Sequence, residues 1–140
     1  MNWLTYALLS AVFAALTSIF AKIGIKDVSS NLATAIRTIV ILLIAWGIVI
    51  ATGEHKGVSN LSKNTLVFLM LSGIATGLSW IFYFKALQIG QASKVVPVDK
   101  LSLVLTIILA VVILREKLNL MTVLGAILIT GGTVLIALAK

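Results

Sequence analysis

Cysteine is absent from this 140-residue chain, which also has one histidine, one proline and four acidic residues. Without thiols there is neither a disulfide framework nor a thiolate metal ligand. One histidine and so few carboxylates leave no metal constellation, and no metal or other cofactor is expected. No Walker loop, nucleophile elbow or dinucleotide fingerprint occurs, so neither ATP-driven transport nor catalysis by a known motif has support, and the chain is not read as an enzyme. Charge of both signs is scarce: 11% of residues against roughly a quarter in soluble domains.

Hydrocarbon takes its place, with 61% hydrophobic residues and a mean hydropathy of +1.19. This is the composition of a chain built for lipid. A net charge of +7 would point to nucleic acid in a soluble protein. Here the bases share the ends of apolar runs, so they speak first to membrane topology, and no nucleic-acid partner is expected.

A helix that crosses the hydrocarbon layer needs about 20 mostly apolar residues. Four runs meet that length: Trp3 to Ala21, Leu32 to Thr52 with Arg37 inside it, Asn64 to Phe84, and Leu118 to Ala139. The first lacks the basic flank and short apolar core of a cleaved signal and reads as a span. Leu101 to Leu114 is uncharged but only 14 residues long. Either its helix reaches back through Lys100, Asp99 and Pro97 to about Val95, or the segment is re-entrant. The first alternative is adopted, giving an all-α integral membrane protein, residues 1–140 forming one domain, with spans near 3–23, 32–52, 64–88, 95–114 and 118–139.

Five spans place Lys56, Lys63, Arg115 and Lys117 on the N-terminal side and Lys22, Lys26, Arg37, Lys85, Lys94, Lys100 and Lys140 on the other. All bases counted, the excess favours a cytoplasmic C-terminus. With Arg37, Lys85 and Lys100 set aside as membrane-embedded, the two sides balance at four each, which permits insertion in both orientations.

Embedded charge is costly, about 2.5 kcal/mol or more at a helix centre, and requires a partner, a wet cavity or an escape to the interface. Lys22, Arg37 and Lys85 are either interfacial anchors that snorkel or members of a site. Asp99 has a stem too short to snorkel far. It is either ion-paired, with Arg37, Lys85 and Lys22 as the expected partners, or a first-turn acid after Pro97 at the positive end of a helix dipole. Lys100, about 100° around the helix from Asp99, is expected to serve another face.

Hydroxyls recur at spacings of three to four, as Ser72, Thr76, Ser79 and Tyr83 on the third span beside Trp80 and Lys85, and as Ser102 and Thr106 after Asp99. Such stripes mean helix packing or a wet cavity, and the neighbouring aromatics and charges favour the cavity. Gly73 and Gly77 form a GxxxG pair, and Gly125, Gly131 and Gly132 lie in the last span. All five are candidate contacts for helix packing or a dimer.

The run Gly77-Leu78-Ser79-Trp80-Ile81-Phe82-Tyr83-Phe84-Lys85-Ala86-Leu87, the segment Ala92-Ser93-Lys94-Val95-Val96-Pro97-Val98-Asp99-Lys100-Leu101-Ser102 and the Leu114-Arg115-Glu116-Lys117-Leu118 ending together resemble the EamA domain of the drug/metabolite transporter superfamily, in its short, single-repeat form. Arg37 early in the second span and the glycine-rich last helix are also similar to that pattern. The resemblance implies one half of an inverted-repeat fold, since most members fuse two repeats of five spans. It further implies that two copies assemble, antiparallel, around a solute pathway at the repeat interface. Small multidrug-resistance relatives carry a glutamate in the first of four spans; Trp3 to Ala21 has no acid.

Together these readings give a secondary carrier of a small polar metabolite, a homodimer in the cell membrane of a bacterium or archaeon working by alternating access. Ser79, Trp80, Tyr83, Lys85, Asp99, Lys100, Arg37 and Lys22 are the expected cavity residues. The excess of bases over Asp99 favours an anionic or zwitterionic solute. The rival reading is a non-transporting membrane subunit, or half of a heteromeric lipid-carrier flippase.

Overall fold

Helix starts are set by short polar side chains that accept the first free backbone N–H groups. In the computed structural model, which describes residues Asn2 to Ala139, Asn2 accepts from Thr5 N at 3.0 Å before α1 (Trp3–Gly24). Ser29 accepts from Leu32 N at 3.3 Å before α2 (Ser30–Ala51), and Ser62 from Thr65 N at 3.1 Å before α3 (Lys63–Ile89). Asn119 accepts from Thr122 N at 2.7 Å before α6 (Leu120–Leu138). These caps explain why α2 begins earlier, and α6 later, than hydropathy alone suggests. A 3₁₀ segment, Glu54–Asn60, follows Gly53, whose φ of 76° is the left-handed conformation that glycine adopts without strain. Lys140, counted among the charges above, lies outside the described residues.

The fourth span is interrupted. Helix α4 (Ala92–Asp99) and helix α5 (Leu101–Leu114) meet at Lys100, three residues after Pro97. Proline lacks the N–H that would bond four residues back. At Lys100 the N–H is shared between Val96 O at 3.3 Å and Pro97 O at 3.0 Å, and Leu103 N bonds the shorter-range Lys100 O at 3.0 Å. Because α4 starts at Ala92, the stretch Ala92–Leu114 is 23 residues long, about 34 Å at 1.5 Å per residue. Its length no longer calls for a re-entrant turn.

Among the described residues five helices are long and apolar enough to cross a membrane, and the all-α membrane class read from the sequence holds. The chain divides into two compact units. One comprises residues 20–88; the other comprises residues up to Ile19 together with those from Ile89 on.

In the 20–88 unit the fully buried Phe84 and Leu87 of α3 sit in a small core that includes Ala21 and Ile25. Polar side chains close the same region. Gln88 Nε2 donates to Ile25 O at 3.3 Å and also to Val28 O, while the Lys22 ammonium donates to Leu87 O. The Gln88 bonds satisfy carbonyls just beyond the end of α1, and the Lys22 bond one in the last turn of α3. In the other unit α4 and α5 both pack on α6. The buried Thr133 hydroxyl lies 3.4 Å from Pro97 O, and the Lys94 ammonium donates to Ala139 O. Elsewhere the large apolar side chains face outward: Leu43 is 67% exposed and Leu128 76%. That is the arrangement lipid requires, with backbone bonds kept inside helices and hydrocarbon outside.

Candidate functional site

Arg37 lies seven residues after the start of α2, roughly 10 Å along the helix, and Trp80 nine residues before the end of α3, roughly 13 Å along it. Both positions lie inside helices long and apolar enough to cross a hydrocarbon layer about 30 Å thick. The guanidinium carbon stands 3.6 Å from the Trp80 ring centroid and 4.8 Å from that of Phe84. A guanidinium over an indole ring gains about 0.5–2 kcal/mol, rising as water is withdrawn. Arg37 therefore leans on an aromatic side chain at the same depth. Among the described residues no carboxylate forms an ion pair with it.

The aromatic support is itself braced. Trp80 meets Tyr83 edge-on at 6.3 Å and Phe84 edge-on at 5.5 Å, and Tyr83 lies 6.0 Å from Phe84. Edge-to-face contacts of this kind fix ring orientation. Beside Arg37 and Trp80, between α2 and α3, runs a groove of about 370 Å³. Thr34, Thr38, Ser72 and Thr76 supply its polar lining, and Gly73 and Gly77 lie along it without side chains.

The expected site residues divide between the two units. Arg37, Trp80, Gly73 and Gly77 meet at the groove, and Tyr83 backs its aromatic wall. Ser79 and Lys85 are exposed on α3 and do not line it, whereas Lys22 is engaged with the Leu87 carbonyl. A side chain added at Gly73, Gly77, Gly125, Gly131 or Gly132 would meet no atom within 4 Å. Close approach inside the chain is thus not what these glycines serve. Gly131 lines a second groove of about 480 Å³ in the other unit, between α5 and α6, with Val104, Ile107 and Ile127 among its apolar walls.

Asp99 has a different partner from those expected. Lys100 Nζ lies 3.4 Å from Asp99 Oδ2, both side chains part-exposed, although helical spacing sends Lys100 to another face. The interruption explains the difference. Lys100 lies between α4 and α5, and its four-carbon stem turns back to the neighbouring carboxylate. A part-exposed pair of this kind contributes about 0.2–1 kcal/mol. Asp99→Asn is expected to lower the stability of detergent-solubilised protein by no more than about 1 kcal/mol, and Lys100→Gln in that background to add nothing further. Thermal unfolding of both single variants and the double variant checks this; two additive losses would mean that the groups do not act as a pair.

Thr34, Thr38 and Phe84 are members of the site that hydroxyl counting on the third span misses. Thr34 and Thr38 were legible as a pair one turn apart flanking Arg37. Phe84 gives no such signal, since an aromatic in an apolar run does not declare which residue it will support.

The comparisons with known proteins agree with this architecture. An uncharacterized transporter encoded in the cobO 3' region of a Sinorhizobium species is 51% identical over 136 residues, covering 97% of this chain and 96% of its own length. An uncharacterized protein of Methanocaldococcus jannaschii is 26% identical over 139 residues, covering 95% of this chain and 94% of its own. No solved structure matches. The EamA-like transporter family matches residues 1–138, nearly the whole chain. The chain therefore belongs to the EamA-like transporter family and is a multi-pass membrane transporter.

Proposed function

We propose that the protein is a secondary carrier of a small anionic or zwitterionic metabolite in the cell membrane of a bacterium or archaeon. Two copies, set antiparallel, would form the pathway and work by alternating access without ATP. One observation carries this reading: a guanidinium held at span depth over Trp80, beside a groove lined by hydroxyls, with no carboxylate pairing it among the described residues. A charge so placed is expensive in lipid, and a solute or the water of a pathway accounts for it. The balance of loop charges and the odd number of spans support the antiparallel pair. The relatives, one bacterial and one archaeal, support the setting. Membrane lipid covers the remaining apolar surface.

The rival lipid-carrier reading draws on the groove between α5 and α6, whose lining of Val104, Ile108, Leu118 and Ile127 suits a hydrocarbon chain. Thiol labelling separates the two. The chain has no cysteine, so single substitutions report without background. Ser72→Cys and Thr76→Cys, both on the groove, should react with a thiol reagent confined to water and lose that reactivity when a transported solute is added. Leu78→Cys, an exposed apolar position outside the groove lining, should stay unreactive. Protection of Ser72→Cys and Thr76→Cys from both sides of the membrane would favour a dry-packed subunit over a carrier.

A further inference from the structure

Helix α5 ends on an arginine in a backbone conformation suited to glycine. Its cap, Arg115, has φ 55° and ψ 33°, and among the described residues it is the one non-glycine with positive φ. Glycine adopts that conformation without strain and commonly fills this position. Arg115 is held in it by bonds to one carbonyl, since its own N–H and that of Glu116, the latter at 3.2 Å, both donate to Ala110 O. Backbone strain of this kind clusters where ligands are clamped.

Three residues on, Leu118 begins the lining of the groove of about 480 Å³ between α5 and α6. From there the lining runs back along α5 to Val104, ten residues before its end, and along α6 to Gly131, eleven residues after its start. At 1.5 Å per residue these distances are about 15 Å and 17 Å, close to one leaflet of a hydrocarbon layer about 30 Å thick. Thr130, the one hydroxyl among the described lining residues, donates to Ala126 O at 2.8 Å and so has no proton left for the groove. The connection of residues 115–119 carries two bases, Arg115 and Lys117, against one acid, Glu116, all three exposed.

From an apolar groove one leaflet long, lined at one end by a net-positive turn, we infer that the protein holds a resident anionic phospholipid. One acyl chain lies between α5 and α6, and the phosphate meets Arg115 and Lys117. The planar guanidinium fork matches phosphate oxygens. The turn's surplus of one positive charge matches a head group of one net negative charge, whereas a zwitterionic head group leaves it uncompensated. The lining covers the length of one leaflet, which suits a lipid that stays rather than one carried across. This site belongs to the unit that lacks Arg37, and it is independent of the carrier reading.

Native mass spectrometry of the delipidated protein tests this with phosphatidylglycerol and phosphatidylcholine of the same oleoyl chains. Phosphatidylglycerol is expected to bind about tenfold more tightly, a ratio that two bases near a membrane surface supply. Arg115→Gly should remove most of that preference, while the unfolding temperature in lipid-free detergent holds or rises, because glycine suits φ 55°. Gly131→Phe should weaken both lipids alike: a Cβ there meets no atom within 4 Å, so the ring fills the groove without disturbing the bases. Glycerol phosphate, a head group without chains, should not compete. Equal binding of the two lipids, a preference untouched by Arg115→Gly, binding untouched by Gly131→Phe, or competition by glycerol phosphate would overturn the inference. Saturable, protein-dependent transfer of labelled phosphatidylglycerol between the leaflets of a vesicle would also overturn it, by making the lipid cargo.

Discussion

Arg37→Gln should reduce solute flux in reconstituted vesicles by about a hundredfold while the protein remains folded. A charged hydrogen bond to the solute is worth about 1.5–3 kcal/mol, and tenfold corresponds to about 1.4 kcal/mol, so loss of the fork accounts for that factor. Stability should move the other way or not at all. The substitution forfeits a stack of about 0.5–2 kcal/mol on Trp80 but removes a charge costing about 2.5–3.5 kcal/mol at span depth. Initial rates of uptake, read beside thermal unfolding in detergent, make the two effects separable. Full flux in the variant would show that Arg37 is an anchor and not part of the pathway. Arg37→Lys should fall between, since it keeps the charge and loses both the planar set of guanidinium donors and the contact with Trp80.

Fixing the chain in one orientation should abolish transport, and mixing two oppositely fixed forms should restore it. Apart from the embedded bases the two sides carry four Lys or Arg each, so small changes tip the balance. Ser59→Lys with Asn60→Lys, both on the exposed 3₁₀ segment, draws the N-terminal side toward the cytoplasm. Lys56→Ser with Lys63→Ser pushes it outward. Each form alone should lose more than about tenfold in flux, and co-expression should recover most of it, because only then can an antiparallel pair form. Reporters fused to the termini confirm the orientations. Undiminished transport by one fixed form alone would end the antiparallel arrangement.

The membrane class and the number of spans were legible because they depend on run length and composition, which lipid reads almost directly. Helix ends were less so. Ser29 and Asn119 set them by single hydrogen bonds that a hydropathy average blurs. The short run Leu101 to Leu114 demanded an extension through Asp99 and Pro97, and the helical stretch there runs from Ala92 to Leu114. What it could not show was the interruption at Lys100, which turns a neighbour on another face into the ion-pair partner. At the groove, Arg37 and Trp80 stood out as residue types unusual at that depth. That Arg37 would stack on Trp80, and that Thr34 and Thr38 of a different span would complete the lining, depends on how α2 meets α3. Period and spacing within one helix carry no such information. The glycines illustrate the same limit: Gly73 and Gly77 were marked by spacing alone, and within the chain their open surroundings widen a groove where a close helix contact was expected.

Counterflow with the purified, unmodified protein bears most directly on whether the chain is a carrier. Vesicles without ATP are loaded with an unlabelled metabolite that protects Ser72→Cys from the thiol reagent, and its labelled form is added outside. A carrier gives saturable uptake that the internal metabolite accelerates and that collapses when the gradient of unlabelled solute is removed. Uptake no faster than in protein-free vesicles, for a metabolite that protects Ser72→Cys in the groove, would mean that the protein binds its ligand without moving it, and the carrier reading would be wrong.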